Sequence, residues 1–562
     1  MIKKKVKNMS FIYEDYYKEI KDEAGQITGI ETTYSDEFNF AYDVVDRFAK
    51  EDPKKLALVH KSAAGVENRF SFGRLKELTD KAANAFAGLG IGRKDKVMLL
   101  LKRRYEYWIS ILALHKLGAV AIPTSHMVSA EDIEERMEVA KVKAIICVNS
   151  EHICEKVSTA IAQRDVKAIV VGEAYEGMIE FDQILKQADS DFSRVKTDVK
   201  DPMLYYFTSG TSGEPKAVIH DFSYPIAHIF TAKNWHGMQD GDLHLTVADS
   251  GWAKSAWGKL YGQWFVGAAI MVYDYEQFYA TDMLKLLEEE KINTFCAPPT
   301  IYKYFVLEDL RAYDLSHLRQ ATTAGEPMAK EVSRKFEEMT GITVREGFGQ
   351  TETALQICTP FYQQGREGSI GKASPLYKIA LVDEDGREVK DGREGEIVIL
   401  ASKEQGALGI FKGYLGDEKL YDTVWENGMY HTKDKAKRDR DGYFYFLGRN
   451  DDVIKSSGYR IGPSEVEDIL MKHPAVFECA VTAYPSKTRG ALVKATIVLK
   501  EGYNEDLKLK TELQDFVKAR AAIYKYPRKI EFVSSLPHTS NGKISRARIR
   551  KADYEKCAQS RT

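Results

Sequence analysis

Residues 208–216 read Thr-Ser-Gly-Thr-Ser-Gly-Glu-Pro-Lys, and they directly follow the strand-like run Leu-Tyr-Tyr-Phe at positions 204–207. Four hydroxyl side chains, two glycines and a lysine can surround phosphate oxygens with amides, hydroxyls and one point charge. The spacing differs from the G-x-x-x-x-G-K of a P-loop, and Pro215 stands where that loop has glycine, so a P-loop NTPase is disfavoured. A plain linker needs no Pro-Lys pair behind a buried strand. We therefore interpret this stretch as a phosphate-binding loop.

The region around this loop alternates between short β-prone runs and amphipathic stretches, from about residue 40 to 350. The strand-like runs are 97–101, 144–148, 168–171, 204–207, 243–247 and 268–273. Such alternation is typical of parallel-sheet α/β architecture. From 369 to 400, short strands around Asp383-Glu-Asp-Gly386 and Asp391-Gly392 predict a small, hairpin-rich β module instead.

A third region begins near Asp451, after the polar stretch that follows the aromatic run 443–446. Capping-box spacing predicts two helices there, starting at Ser464 and Thr511. The predicted fold class is α/β, with a large N-terminal domain of α/β subdomains plus a small β module, followed by a small mobile α+β C-terminal domain. The predicted boundaries are an N-terminal extension at 1–40, the large domain at 41–450 and the small domain at 451–562.

Composition limits the class of protein. The chain has 562 residues, 44% of them hydrophobic, which predicts a globular body of roughly three to four domains or subdomains. The net charge of −2 is too balanced for a dedicated nucleic-acid or anionic-membrane binder, although residues 451–562 carry 21 basic and 14 acidic side chains. Six cysteines without a C-x-x-C pair favour neither a disulfide framework nor a zinc ribbon. We expect a cytoplasmic protein with no membrane insertion, because the longest apolar runs, such as 265–272, are far shorter than a bilayer span.

Three further clusters carry chemistry. Thr323-Ala-Gly-Glu-Pro327 precedes Glu346-Gly-Phe-Gly-Gln-Thr-Glu352, where glycines permit close backbone approach, a ring offers a flat face and the last carboxylate is a hard ligand for Mg²⁺. Asp434 and Arg449 suit a vicinal diol and a phosphate, and Lys543 lies on a glycine-bearing turn. Each cluster alone could be an ordinary turn or surface feature; their combination and order are informative.

Together these segments closely resemble the core motifs of the adenylate-forming superfamily: acyl-CoA synthetases, peptide-synthetase adenylation domains and luciferases. The resemblance extends from about residue 40 to 555 and includes the stretch Ile454-Lys-Ser-Ser-Gly-Tyr-Arg-Ile461 after Gly-Arg-x-Asp-Asp. Its details look most like the medium-chain acyl-CoA synthetase branch. The resemblance implies that ATP activates a carboxylate to an acyl-adenylate, and that coenzyme A then takes the acyl group, with Asp451 as the hinge of the small domain.

The resemblance also implies roles for individual residues. Phosphate contacts would come from Thr208, Ser209, Gly210, Thr211, Ser212, Gly213, Lys216 and Thr351. Glu352 would bind Mg²⁺ and Lys543 would neutralise charge at the α-phosphorus. The adenosine would be framed by Gly325, Glu326, Pro327, Glu346, Gly347, Phe348, Gly349 and Gln350, with Asp434 and Arg449 on the ribose. Coenzyme A or ATP phosphates would meet Ser457, Gly458, Tyr459, Arg460, Arg489, Tyr526, Pro527 and Arg528.

Two positions depart from relatives. Gly349 stands where the acetyl and propionyl branch has a tryptophan, so we expect room for a medium-chain, branched or aromatic acid rather than acetate, with Trp252, Trp257 and Trp264 as candidate pocket residues or core residues. Lys433 occupies the glycine of a Thr-Gly-Asp pattern; a left-handed backbone there would cost about 1 kcal/mol.

Two alternatives stay open at this point. The acceptor could be a carrier protein instead of coenzyme A, although the basic and aromatic run 524–529 favours the coenzyme. A catalytically weakened nucleotide- or acyl-CoA-binding sensor is the rival of another class, motivated by Lys433. The expected partners are a small carboxylic acid and no nucleic acid, and homodimer formation is left open.

Overall fold

The first sheet of the large domain is built from runs that the sequence predicts as strands. The computed structural model describes residues 11–150, 152–209, 215–449, 452, 454–456, 459–486, 490–539 and 543–559. From edge to edge the strands are Pro215–Asp221, Pro202–Ser209, Val120–Pro123, Lys96–Leu100, Ala144–Val148, Lys167–Val171 and Ile179–Glu180. They run parallel except at the first edge, where an antiparallel pair sets Thr208 opposite Lys216. Both ends of the predicted phosphate loop therefore lie side by side.

The second sheet positions the remaining motifs of the large domain. Its strands, from edge to edge, are Lys372–Ala373, Leu355–Cys358, Val344–Gly349, Gln320–Ala324, Thr294–Cys296, Leu243–Thr246, Ala269–Asp274, Leu56–Ser62 and Glu67–Ser71. The inner strands are parallel, and Ala324 pairs with Gly347. The loops after these two strands consequently emerge at the same sheet edge, where open α/β sheets bind their ligands.

A third sheet forms the predicted β module. It contains Ile379–Val382, Glu394–Ile399, Met429–Arg438 and Trp425–Glu426, with Phe444–Arg449 paired to the long strand. Leu381 lies opposite Ile397, so the two turn signals at 383–386 and 391–392 belong to one connection between antiparallel strands. Asp434 and Arg449 are directly opposed in neighbouring strands. Pairing of strands thus brings together two residues that are 15 positions apart.

Helices cover these sheets. In the large domain they are Ala41–Asp46, Arg47–Glu51, Phe72–Gly88, Glu106–Leu117, Ala130–Ala140, Ile153–Ile161, Phe181–Gln187, Tyr224–Phe230, Thr231–Trp235, Lys254–Lys259, Gly262–Phe265, Ala280–Glu289, Pro299–Phe305, Lys330–Thr340 and Glu418–Asp422, with short turns at Ile12–Asp15 and Leu310–Ala312. A hairpin of Tyr17–Lys21 and Ile27–Thr32 precedes them. Within the described ranges, no helix is both long and apolar enough to cross a membrane.

The C-terminal region folds around its own apolar cluster. Its strands are Tyr459–Ile461, Ile454–Ser456, Gly490–Leu499, Val476–Ser486 and Lys529–Phe532, and its helices are Pro463–Leu470, Leu507–Lys518 and Arg546–Gln559. Buried Ile454, Val481 and Leu513 are at its centre. The mixed α/β class with a small α+β C-terminal domain is confirmed.

The predicted capping boxes in this region are wrong. The first helix begins at Pro463, because proline is preorganised for the first turn. The second begins after Asp506, whose carboxylate accepts the amide of Leu509 at 2.6 Å. The side chain of Gln514 donates to Pro527 O instead, at 3.0 Å. At the second helix, the carboxylate of Asp506 therefore caps the first turn, and Thr511 and Gln514 form no capping box despite their correct spacing.

Candidate active site

A hydrogen-bond network at the edge of the second sheet holds the side chain of Asp434. The amide of Gln350 donates to Asp434 Oδ2 at 2.6 Å and to Thr432 O at 2.7 Å, and the hydroxyl of Tyr430 donates to Gln350 Oε1 at 2.9 Å. Asp434 is buried. Because the side-chain amide of Gln350 donates to both Thr432 O and Asp434 Oδ2, it fixes the position of the Asp434 carboxylate.

Lys433 adopts the left-handed backbone considered from the sequence, with φ +61. Its amide donates to Glu396 Oε1 at 2.9 Å. This charge-assisted bond offsets part of the conformational cost, which is about 1 kcal/mol for a non-glycine residue. The neighbouring Asp434 is therefore held by a backbone that is strained yet well anchored.

Thr351 and Glu352 follow Gln350 and are anchored through their own contacts. The ring of His220 donates from Nε2 to Thr351 O at 2.7 Å. The hydroxyl of Tyr414 donates to Glu352 Oε1 at 2.9 Å, and the amide of Phe411 donates to Glu352 O at 2.8 Å. In the part of the chain that is described, no group of three or more acidic, His or Cys side chains could hold a metal ion. A single carboxylate fits Mg²⁺, which usually completes its shell with waters and substrate phosphates.

Glu346 lies beneath the loop that carries Gly325. Its carboxyl group accepts the amide of Met328 at 3.1 Å. Burial raises the pKa of Glu346 to about 8, so the side chain is largely protonated at neutral pH. Gly325 itself has φ +105, a conformation that favours glycine. Glu346 thus holds the loop after Ala324 through the amide of Met328, and it is followed in its own strand by Gly347 and Phe348.

Two tryptophans from different helices pack against the two glycines of the strand Val344–Gly349. A Cβ on Gly347 would lie 2.6 Å from the Trp235 indole, and a Cβ on Gly349 would lie 2.3 Å from the Trp257 indole. The space that we expected to be open beside Gly349 is therefore occupied by Trp257. Trp264 is a core residue, with its Nε1 donating to Ala57 O at 2.8 Å. The expectation of an open pocket next to Gly349 needs this correction.

Lys543, which belongs to the C-terminal domain, lies next to Gly325 of the large domain. A Cβ on Gly325 would lie 3.7 Å from Lys543 Cε. The amide of Ile544 donates to Glu326 Oε1 at 3.2 Å. Nearby, Lys254 donates to Ala324 O at 2.7 Å, and burial followed by the charge of Lys543 lowers its pKa. Two cationic side chains therefore converge on the loop after Ala324.

Sequence profiles agree with this arrangement. The profile of the AMP-binding enzyme family matches residues 45–415, and that of the AMP-binding enzyme C-terminal domain matches residues 465–543. The chain belongs to the AMP-binding enzyme family. The resemblance to the adenylate-forming superfamily is confirmed.

Curated relatives of this AMP-binding enzyme are similar over most of their length. The human acyl-coenzyme A synthetase ACSM5, mitochondrial, is 36% identical over 92% of this chain and 91% of the human protein. The mouse acyl-coenzyme A synthetase ACSM3, mitochondrial, is 34% identical over 97% of this chain and 96% of the mouse protein. The expected cytoplasmic location is contradicted by these relatives, whose names place them in mitochondria.

Solved structures give the same result. The anthranilate CoA ligase AuaEII in complex with anthranoyl-AMP has a TM-score of 0.85 and 27% identity, covering 93% of this chain and 99% of the ligase. The Brucella canis acyl-CoA synthetase has a TM-score of 0.71 and 30% identity, covering 92% and 95%. A benzoate CoA ligase from Burkholderia xenovorans LB400 has a TM-score of 0.81 and 25% identity, covering 91% and 100%. The AMP-binding enzyme therefore shares the fold of acyl- and aryl-CoA ligases.

Several predicted residues of this AMP-binding enzyme lie elsewhere or outside the described ranges. The phosphate-loop residues Gly210, Thr211, Ser212 and Gly213, the hinge Asp451, and Ser457, Gly458 and Arg489 fall outside them. Tyr459 and Arg460 belong to the strand Tyr459–Ile461. Arg528 donates to the Tyr526 hydroxyl at 2.7 Å, beside Pro527. The roles assigned to these residues in phosphate binding, in the hinge and in coenzyme binding stay predictions.

Sequence reasoning did not identify Trp235 or Lys254. Trp235 also donates from its indole to Glu346 O at 3.2 Å. The signal for it was present in the alternating glycines 347 and 349, since glycine inside a strand often marks a close approach by another group. Lys254 had no local signal, because its importance depends on a contact 70 residues away.

Proposed function

We propose that this chain is an AMP-forming acyl-CoA synthetase. It activates a carboxylic acid with ATP to an acyl-adenylate and pyrophosphate, and transfers the acyl group to coenzyme A. The observation that carries the proposal is the meeting of Lys543, from the small domain, with the loop after Ala324 in the large domain. The acyl-coenzyme A synthetase names of the relatives, at 34–36% identity, support the same reaction.

The nucleotide is proposed to lie across the shared edge of the second and third sheets. Asp434, fixed by Gln350, accepts the ribose hydroxyls, with Arg449 opposite it. Gly325 lets the adenine approach the backbone, with Phe348 alongside, whereas the missing side chain of Gly347 makes room for the Trp235 indole. Thr208 and Lys216 begin and end the loop for the outer phosphates. This proposal assigns one chemical part of ATP to each motif.

Charge neutralisation is proposed to be the main catalytic contribution of the chain. Phosphoryl and adenylyl transfer gather negative charge, so preorganised cations stabilise the transition state. Lys543 supplies one such charge at the α-phosphorus, and Thr351 contacts the α-phosphate. Glu352, held by Tyr414, would ligate Mg²⁺. When bound, that ion neutralises phosphate charge.

Coenzyme A is proposed as the acceptor. Supporting this choice, Tyr526 and Arg528 stack with a ring distance of 4.7 Å, and Lys518 lies 4.6 Å over the same ring. An aromatic surface with two cations suits a nucleotide with several phosphates. For transfer, the small domain would turn at Asp451 and withdraw Lys543. Homodimer formation stays a prediction, which light scattering would measure.

The acid is proposed to be branched or aromatic in preference to a long linear chain; the argument against acetate depended on an open space beside Gly349 and no longer applies. Trp257 closes the route beside Gly349, so a straight chain has no passage there. The flat face of an indole is complementary to a ring or a compact branched group. Anthranilate and benzoate ligases among the structural neighbours are consistent with an acid of that shape.

Carboxylate-dependent pyrophosphate release with ATP and Mg²⁺ tests the function. The panel contains acetate, butyrate, octanoate, 2-methylbutyrate, benzoate and phenylacetate, each with and without coenzyme A. Release that peaks with the branched or aromatic acids and turns over only with coenzyme A is the expected result. Release that never depends on the coenzyme would point to a carrier-protein acceptor, and ATP binding without release would support the sensor alternative.

The acid preference has its own test. Trp257→Leu should raise the kcat/KM for octanoate by about tenfold or more, since each accommodated methylene contributes about 0.8 kcal/mol. Trp264→Phe is the matched control, because Trp264 lies in the core next to Phe40 with rings 6.2 Å apart. A preference for octanoate in the wild-type enzyme would contradict the proposed shape of the pocket.

A further inference from the structure

One hydrogen bond ties the small domain to the adenine-side loop. The amide of Ile544 donates to Glu326 Oε1 at 3.2 Å, and the two residues are 218 positions apart. Ile544 directly follows Lys543, and Glu326 directly follows Gly325. The bond therefore exists only while the two domains are docked in this arrangement.

The chain around Lys543 is held by its own turn. The amide of Thr539 donates to Lys543 O at 2.7 Å, and the amide of Lys543 donates to Thr539 Oγ1 at 3.3 Å. The amide of Ser545 donates to Pro537 O at 2.7 Å. Because the backbone is fixed on both sides of Lys543, an anchor at the Ile544 amide also fixes the origin of the lysine side chain.

Electrostatics strengthen this anchor. A carboxylate that accepts an amide hydrogen forms a charge-assisted bond, which is stronger than a neutral one. The guanidinium of Arg546 pairs with Glu467 at 2.7 Å, and its charge also attracts Glu326. Lys254 contributes further attraction to Glu326 from the large domain. Glu326 thus lies among cations from both domains.

We propose that Glu326 is a positioning residue for the first half-reaction. Its carboxylate captures the Ile544 amide and thereby places Lys543 for adenylation. The bond breaks when the small domain turns, so Glu326 contributes nothing of this kind to thioester formation. The proposal rests on the proposed acyl-CoA synthetase function. It adds a second task to a residue that the sequence assigns only to the adenine.

The test compares the two half-reactions in Glu326→Ala. Pyrophosphate release should slow about ten- to a hundredfold, the range for losing a bond to a charged group. Conversion of saturating acyl-adenylate and coenzyme A to thioester should slow much less than pyrophosphate release, because an adenine contact of Glu326 acts in both half-reactions and the bond to the Ile544 amide only in the first. Glu326→Gln keeps an accepting oxygen and should recover most of the lost rate. Glu331→Ala, which removes a carboxylate paired with Arg334 at 2.8 Å, is the charge control.

A double-mutant cycle distinguishes positioning from nucleotide contact. In a Lys543→Ala background, Glu326→Ala should cause no further slowing, because it acts through the lysine. An equal slowing of pyrophosphate release in both backgrounds, or an equal slowing of the two half-reactions, would overturn the proposal. Wild-type enzyme that releases no pyrophosphate with any acid would refute the proposed function itself. An active wild type with a fully active Glu326→Ala variant would refute the positioning role alone.

Discussion

Acidification should unfold this protein largely through histidines that are buried in the neutral form. Burial lowers the pKa of four of them from 6.5 to about 3. They are His115, His220, His228 and His244. A group whose folded pKa is depressed contributes stability that is complete above its unfolded pKa. That stability is lost as the pH falls from about 6.5 toward 3, since only the unfolded chain binds the protons.

The magnitude follows from these pKa values. Between pH 7 and 5, each histidine in the unfolded chain gains about 1.9 kcal/mol from protonation, so four give about 8 kcal/mol. Two carboxyl groups oppose the loss, because burial raises the pKa of Glu346 to about 8 and that of Asp468 to about 6. Between pH 7 and 5, protonation in the folded state adds about 3 kcal/mol of stability at Glu346 and about 1 kcal/mol at Asp468. These six groups together give a net loss of about 4 kcal/mol, a large share of an ordinary folding free energy. Burial also lowers the pKa of His236, which adds to the loss.

The contribution of a single histidine can be measured at His228. Both of its ring nitrogens are buried without a hydrogen-bond partner, and its ring lies 6.4 Å from Trp257. His228→Phe should therefore reduce the loss between pH 7 and 5 by about 2 kcal/mol. Urea unfolding followed by tryptophan fluorescence at pH 7, 6 and 5 measures it. The exposed His317→Gln is the control, and a wild-type pH dependence in His228→Phe would refute the reasoning.

Three other substitutions have expected outcomes. Gly349→Ala should lower activity at least tenfold and lower the melting temperature, because its Cβ would lie 2.3 Å from Trp257; activity and thermal scans at equal protein concentration measure both. Lys494→Met should destabilise the small domain by about 3–5 kcal/mol, since it leaves Asp553, now 2.6 Å from the ammonium, buried without its partner; an unchanged denaturant midpoint would contradict this. Lys433→Gly should add up to about 1 kcal/mol of stability by relieving the left-handed backbone, without lowering pyrophosphate release, which differential calorimetry and the release assay check.

Much of the fold was predictable because it depends on local patterns. The strand-like runs at 144–148 and 243–247 correspond to Ala144–Val148 and Leu243–Thr246. Buried parallel strands are continuous apolar runs, so they are visible in a sequence without any knowledge of their neighbours. The helix that was expected to start at Thr511 begins at Leu507, because Asp506 competes for the same role. The first residue of a helix depends on which nearby side chain accepts the free amides of its first turn, and residue spacing alone does not determine this.

The candidate site was predictable in its motifs but not in its contacts. Gln350, Thr351 and Glu352 stand together in the sequence, and their glycine-rich surroundings signal a binding role. The partners that orient them, Tyr414 and Tyr430, are more than 60 positions away. Contacts over such distances follow from sheet pairing, which no short window of sequence contains.

The packing of Trp257 on Gly349 separates two properties that a single residue would otherwise combine. If the indole belonged to the strand itself, any change of acid preference would alter the residue that leads directly into Gln350, Thr351 and Glu352. Here the indole is supplied by the helix Lys254–Lys259. In the proposed pocket, substitutions in that helix would reshape the space for the acid while the strand keeps its backbone. The accepted acid could then change one helix residue at a time, without a substitution in the strand that leads to Gln350, Thr351 and Glu352.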